Sequence, residues 1–254
     1  MGDTRNLVVT GAAGGMGSAA LQILSERDVN VVCVDREEDA VAAVIEGLGE
    51  TRGEFVAVGA DVSDAAAVEA YVELPVERWG GLDGLFNIAG IEGELLPMLE
   101  ATIENYDRVM AVNARSVFLG MKFALPHLIA RGGGTIVSTG SVLAVRGVEA
   151  CGAYGASKHA IVGLTKTLAV EVAAQNVRAN VVCPGSMDTR MIRELYPQIS
   201  DDPKEAEAVL VEGIPQKRMA RPEELASTGI WMLLDAPEYM TGQVLLVDGG
   251  VTAG

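Results

Sequence analysis

Short runs of β-branched and apolar residues alternate along this 254-residue chain with longer stretches of helical spacing, and that alternation restricts the fold more than any other feature. The predicted strands are 7–10, 29–34, 55–58, 82–87, 134–139, 177–183 and 243–247. Between them lie the predicted helices 16–27, 37–48, 65–78, 105–131, 153–174 and 222–234. A strand that is followed by a helix and then by another strand pairs in parallel, because the helix carries the chain back across one face of the sheet. Right-handed crossovers then give a doubly wound sheet with helices on both faces. Continuous apolar strands such as Val29-Asn30-Val31-Val32-Cys33-Val34 fit burial on both sides. The expectation is one α/β domain over residues 1–254, built on a seven-stranded parallel sheet.

One stretch breaks the rhythm. Residues 186–221 follow the sixth strand and contain Pro197, Pro203 and Pro215 among acids and scattered Met, Leu and Ile. A connection this long is usually functional or mobile, and it leaves from the carboxyl edge of the sheet, where such folds bind ligands. We read it as a substrate lid after the sixth strand. The apolar fraction of 49% supplies a core, but aromatics are 4%, so Ala, Val, Leu, Ile and Met must build it. No apolar run approaches the roughly 20 residues of a membrane span. The polar residues 1–6 lead straight into the first strand without a secretory pattern, so a cytoplasmic address is expected. The net charge of −16 repels phosphate backbones and anionic lipid, which argues against nucleic-acid and membrane partners. Cys33, Cys151 and Cys183 have no metal-ligand spacing and suit a reducing compartment.

After the first strand comes Thr10-Gly11-Ala12-Ala13-Gly14-Gly15-Met16-Gly17, which opens a helix. Glycines allow close approach to a pyrophosphate, and the helix N-terminus offers it free N–H groups. Asp35 ends the second strand at a distance that suits an acid receiving the adenosine ribose hydroxyls. A carboxylate there repels a 2′-phosphate and selects NAD over NADP, although the adjacent Arg36 is of the kind that meets such a phosphate. Asp61-Val62 closes the third strand, with Asp61 either accepting from the adenine amino group or capping the helix that begins near Asp64. Asn87-Ile88-Ala89-Gly90 ends the fourth strand with small residues that let a cofactor ring or ribose lie near backbone.

Tyr154-Gly155-Ala156-Ser157-Lys158 places a phenol and an ammonium on one helix face. At about 4 Å and an effective dielectric near 20, the ammonium favours the phenolate by about 4 kcal/mol, which brings a phenol pKa of about 10 toward about 7 before desolvation is subtracted. The pair is therefore a candidate proton-transfer group. Ser141, at the end of the fifth strand, can hold a substrate oxygen beside Tyr154, whereas Ser138 lies further into the strand and reads as structural. Asn113 is a poor choice for a helix interior, so it either anchors a relay water or satisfies backbone at a kink.

Taken together, Thr10-Gly11-x-x-x-Gly15-x-Gly17, Asp61-Val62, Asn87-x-Ala89-Gly90, Asn113, Ser141, Tyr154-x-x-x-Lys158 and Pro184-Gly185-x-x-x-Thr189 resemble the short-chain dehydrogenase/reductase family over the whole chain. The resemblance implies a single-domain Rossmann fold and an Asn–Ser–Tyr–Lys tetrad. Tyr154 is then the acid/base, and Lys158 binds the nicotinamide ribose and tunes Tyr154. Ser141 orients the substrate and Asn113 anchors the relay water. The resemblance also implies cofactor contacts at Gly11, Gly15, Met16, Gly17, Asp35, Arg36, Asp61, Val62, Asn87, Ala89 and Gly90. Pro184, Gly185, Met187 and Thr189 hold the nicotinamide end, and the chain is expected to form a homotetramer. Ile88 departs from the family's second Asn, which removes one sheet-stabilising hydrogen bond. Ile91-Glu92-Gly93, Asp61-Val62-Ser63-Asp64, Val68-Glu69-Ala70-Tyr71-Val72 and Ala156-Ser157-Lys158-His159 resemble NAD-dependent cyclic-ketone reductases within that family. The expected reaction is hydride transfer between NAD and a small, mostly apolar secondary alcohol or ketone, cyclic ones included. A 3-oxoacyl reductase and a non-catalytic dinucleotide-binding regulator are the alternatives. His127, His159 and Cys151 carry no expected chemistry, and no catalytic metal is expected.

Overall fold

The computed structural model describes residues 4–253. Its seven strands are β1 (Arg5–Thr10), β2 (Val29–Asp35), β3 (Phe55–Gly59), β4 (Gly84–Asn87), β5 (Gly134–Thr139), β6 (Val177–Pro184) and β7 (Val244–Val247). They form one sheet in the order β3-β2-β1-β4-β5-β6-β7, with every pair parallel. The winding reverses between β1 and β4, where Leu7 pairs with Gly84 and Thr10 with Asn87. The crevice beyond the carboxyl ends of these two strands is where open α/β sheets receive ligands.

Successive strand residues feed two separate cores. Val8, Leu85, Ile136 and Val181 point to one face, which is covered by α3 (Ala65–Trp79), α5 (Ser116–Ala130) and α6 (Gly152–Val172). Leu7, Val9, Phe86, Val137 and Val182 point to the other, covered by α1 (Gly15–Ser25), α2 (Glu38–Leu48) and α10 (Pro222–Ile230). This two-sided burial explains why the strands read as unbroken apolar runs.

Two regions differ from the sequence expectation. The predicted helix 105–131 is interrupted: α4 (Ile103–Met110) runs into a π-turn at Ala111–Arg115 before α5 begins. It also starts earlier, because Thr102 caps it by accepting from the Asn105 N–H at 3.2 Å. The segment 186–221 contains three short helices, α7 (Arg190–Arg193), α8 (Tyr196–Ile199) and α9 (Pro203–Glu212). Pro203 does not break this region; it occupies the first turn of α9, where its missing N–H costs nothing, and Asp202 caps the helix through the Lys204 N–H. The two ends of the segment meet at a bridge between Met187 and Ala220, with Ala220 N–H on Ser186 O and Asp188 N–H on Ala220 O, both at 2.9 Å. Among the described residues no helix is long and apolar enough to cross a membrane.

Candidate active site

The glycine loop between β1 and α1 is held by sterics. Gly11 has φ +70°, and a Cβ there would lie 2.8 Å from the Ala89 nitrogen; one on Gly17 would lie 1.9 Å from the Gly11 carbonyl oxygen. No side chain caps α1, which leaves its leading N–H groups to an anion. The side chain of Met16 is buried in the core, as is that of Val62, so these two offer a ligand their backbone.

Asp35 lies across the loop at the end of β2. Its carboxylate accepts from Ala13 N–H at 2.9 Å and Arg36 N–H at 2.8 Å. The Arg36 guanidinium extends into solvent and pairs with Glu37 at 3.1 Å. Of the two readings of Asp61, capping is excluded. Asp64 caps α3 by accepting from Ala66 and Ala67, while Asp61 accepts from the N–H and hydroxyl of Ser63. These bonds hold the Asp61 carboxyl below its usual range.

Thr10 Oγ1 accepts from both Ile88 N–H at 3.1 Å and Ala89 N–H at 3.2 Å, which fixes the end of β4 against β1. Ile88, where the family's second Asn is missing, packs its side chain against the α1 core. Thr10 is buried, so Thr10→Val leaves two amides unpaired at almost constant volume and is expected to cost about 2–3 kcal/mol. Urea unfolding checks this, and Thr10→Ser should recover most of the loss. Asn87 donates to Ser138 Oγ at 3.3 Å, so Ser138 is a structural partner of β4.

At the other end, Pro184 closes β6, and Gly185 donates to Val247 O at 3.0 Å. Met187 lies in the bridge that joins the two ends of segment 186–221, and Thr189 caps α7 through Ile192 N–H at 3.4 Å. The Thr189 methyl lies beside Gly15, so the start of segment 186–221 touches the glycine loop.

Asn113, Ser141, Tyr154 and Lys158 converge on the crevice. Asn113 is fully buried in the π-turn. Its side-chain oxygen accepts from Ile91 N–H at 2.8 Å, and its amide donates to Ile91 O at 2.8 Å and Ser157 Oγ at 3.0 Å. Of the two sequence readings, the side chain thus does the second, satisfying backbone at a kink. Ser141 accepts from Leu143 N–H at 3.2 Å, and its hydroxyl is within hydrogen-bonding reach of the Tyr154 phenol. Lys158 lies one helical turn from Tyr154 on α6, with Nζ 5.4 Å from the ring centroid and donating to Thr139 O at 3.0 Å.

The electrostatics correct the sequence argument. Burial pushes the Tyr154 phenol up, Glu92 adds to the rise, and the Ser141 hydrogen bond opposes it. Burial likewise pushes Lys158 down to about 8, against the upward effects of Glu92 and Cys183. Helical spacing by itself gives the ammonium's attraction for the phenolate before desolvation is subtracted. In the folded chain desolvation is larger for both groups.

Glu92 escaped reasoning from residue chemistry and entered only through a resemblance. Burial raises its carboxyl, and the Lys158 charge opposes the rise. Burial, and after it the same carboxylate, push the Cys151 thiol up, away from reactive thiolate character. His127 pairs with Glu73 at 2.9 Å, and His159 bonds back to Gly155 O at 2.9 Å, so neither faces the crevice chemistry.

Comparison with known proteins agrees with this geometry. A family profile described as enoyl-(acyl carrier protein) reductase matches residues 11–252. Levodione reductase of Leifsonia aquatica is 35% identical, the alignment covering 98% of this chain and 94% of that protein. Cyclohexanol dehydrogenase of Acinetobacter sp. (strain SE19) is 35% identical over 97% of this chain and 94% of its own. A 3-oxoacyl-[acyl-carrier-protein] reductase of Thermotoga maritima is 31% identical over 96% of each. A crystal structure of levodione reductase superposes with a TM-score of 0.95, covering 98% of both chains at 35% identity. With the glycine loop, the switch-point crevice and Tyr154 and Lys158 in place, the chain belongs to the short-chain dehydrogenase/reductase family of nicotinamide-dinucleotide-binding oxidoreductases.

Proposed function

We propose that the chain is an NAD-dependent dehydrogenase that interconverts a small, mostly apolar, cyclic secondary alcohol and its ketone. The observation that carries this is the convergence of Ser141, Tyr154 and Lys158 beside the crevice at the β1/β4 reversal. The levodione reductase and cyclohexanol dehydrogenase relatives supply the substrate class. Ser141 donates to the substrate oxygen and holds it against the Tyr154 hydroxyl. Tyr154 transfers the proton at that oxygen. Lys158 keeps a positive charge next to the phenol and reaches toward the nicotinamide ribose. Asn113 acts on this cluster by pinning Ile91 and Ser157, which leaves its backbone carbonyl to hold a relay water. The nicotinamide, when bound, accepts or supplies the hydride, and the protein positions and polarises around it. Gly11, Gly15, Met16 and Gly17 present backbone to the pyrophosphate, with Asp61, Val62, Asn87, Ala89 and Gly90 along the adenine and ribose side. Pro184, Gly185, Met187 and Thr189 flank the nicotinamide, and residues 186–221 close over the substrate.

The choice of NAD rests on Asp35 and Glu37. Asp35 stands at the end of β2, and Glu37 engages the guanidinium of Arg36, the cation nearest a 2′-phosphate in sequence. The expected preference is at least ~100-fold in kcat/KM for NAD⁺ over NADP⁺, and Asp35→Ala narrows it at least ~10-fold. The test is NADH or NADPH formation, followed by near-ultraviolet absorbance, on linear, cyclic and aryl secondary alcohols at mildly alkaline pH. Turnover with NADP⁺ alone would refute the cofactor assignment. NADH binding without turnover on any alcohol would favour a regulatory role. The 3-oxoacyl reductase reading suffers from the same Asp35 and from a net charge of −16, which repels an acidic carrier protein. Free Cys33, Cys151 and Cys183 suit a cytoplasmic setting. Exposed Phe118 on α5 and Val170 on α6 suit helix pairing across a two-fold axis in a homotetramer.

A further inference from the structure

Glu92 is a half-buried carboxylate that the proton-transfer scheme above does not use. The loop that carries it is fixed on both sides. Asn113 holds Ile91 through its N–H and its carbonyl, both at 2.8 Å. Asn105 accepts from Glu94 N–H at 3.1 Å, and Gly93 between them has φ +80°. A Cβ on Gly93 would fall 2.5 Å from Val109, so the turn is packed down onto α4. Further along, Leu96 donates to Ala150 O at 2.9 Å, and Leu95 donates to the side chain of Gln198 on α8 at 3.1 Å. The loop therefore joins three walls of the crevice: the end of β4, the segment before α6 and the lid.

Among the described residues the Glu92 carboxylate has no hydrogen-bond donor and no ion pair within 4.0 Å. Lys158 is near enough to feel its charge but spends an N–H on Thr139 O. Gly90, two residues before Glu92, lies beside Lys158 Nζ and Asn113 Oδ1, so the loop borders the reacting end of the crevice, and Tyr154 and Cys151 feel the Glu92 charge. A carboxylate held rigidly in partial burial without a donor is costly to a fold, and such groups are kept where a ligand completes them. A purely apolar ring would deepen that cost by displacing water from the carboxylate.

We propose that Glu92 is a specificity-determining residue that accepts a hydrogen bond from a second hydroxyl on the substrate, so that the preferred substrates are cyclic diols or hydroxyketones. This rests on the dehydrogenase reading above and narrows it. A neutral hydroxyl suits the site better than an ammonium, because Lys158 already places a cation in the same crevice.

The test compares kcat/KM with NAD⁺ for cyclohexanol, trans-1,4-cyclohexanediol, 4-methylcyclohexanol and trans-4-aminocyclohexanol, in wild type, Glu92→Gln and Glu92→Leu. Wild type should prefer the diol to the 4-methyl compound by roughly tenfold or more. Glu92→Leu should lower the ratio of diol to cyclohexanol by a similar factor. Glu92→Gln keeps an acceptor at nearly constant shape, so it should retain the order of preference and guards against misfolding of the Leu variant. Equal use of the diol and the 4-methyl compound by wild type would overturn the proposal. So would an amine preference, equal loss on all four alcohols in Glu92→Leu, or a shift in NADH affinity that places Glu92 on the cofactor side. Silence on all four alcohols would instead refute the underlying cyclic-alcohol reading, and this inference with it.

Discussion

Replacing Tyr154 by Phe is expected to lower kcat/KM for the alcohol by about three orders of magnitude while leaving NADH affinity within about threefold. The substitution removes one oxygen from a ring that is partly exposed at the crevice. The ring's packing and the 5.4 Å approach of Lys158 do not depend on that oxygen. What is lost is the phenol that hydrogen-bonds Ser141 and stands next to Lys158, the group proposed to move the proton. The scale follows from general acid–base catalysis, worth about 10²–10⁴-fold, with the upper half expected because no His lies in the cluster to substitute. NADH fluorescence titration and steady-state kinetics on the same preparation separate the two effects. Full turnover in Tyr154→Phe would remove Tyr154 from the chemistry and with it the proposed mechanism.

Lys158→Met is expected to lose at least ~100-fold in kcat/KM and yet to unfold at a higher temperature than wild type at pH 7. Lys158 is 4% exposed, and burial pushes it down to about 8. The unfolded chain carries this ammonium at about 10.4, so between about 8 and about 10.4 the unfolded state binds more protons and stability rises with pH. Below about 8 the full cost of burying the charge is present, on the order of 3 kcal/mol. Methionine fills similar space without charge. The variant forgoes the hydrogen bond to Thr139 O, worth about 1 kcal/mol, so the net gain is about 2 kcal/mol. That corresponds to a rise in Tm of roughly 5 °C for a chain of this size. Glu92 loses the ammonium that opposes its own desolvation, which trims this figure. A lower Tm would show that the ammonium stabilises the fold and that its burial is compensated beyond what Thr139 and Glu92 provide.

These two expectations depend on features of unequal legibility in the sequence. The parallel sheet could be read because strands buried on both faces must be apolar at every position, as in Val31 to Val34. The Tyr154–Lys158 pair could be read because helical spacing brings residues four apart together whatever surrounds them. The sign of the balance between charge attraction and desolvation at Tyr154 could not, since it is set by depth in the fold. Glu92 was obscured for the same reason: its interest lies in the donors that fail to surround it. Helices α7 and α8 are four residues each, too short to show a period. Asn113 stood out as an amide inside a helix, but its capture of Ile91 joins residues 22 apart in sequence, and no local pattern announces that.

The π-turn between α4 and α5 also explains a phase problem in the sequence. Asn105, Val109, Asn113, Val117 and Met121 are all buried and follow one another at intervals of four. In a straight α-helix each step of four overshoots a full turn by about 40°, so the stripe would wind about 160° around the axis and carry one end out to water. The wider turn at Ala111–Arg115 absorbs part of that drift and returns the stripe toward the sheet. A chain one residue shorter between Met110 and Ser116 would close into an uninterrupted helix with its two flanks in nearly the same relative phase, because a π-turn takes up about one residue more than an α-turn. What the shorter chain would lose is the bulge itself, the place from which Asn113 bonds Ile91. The length of this short segment therefore bears on the crevice as directly as the residues that line it, and it couples the outer helical layer to the geometry of the site.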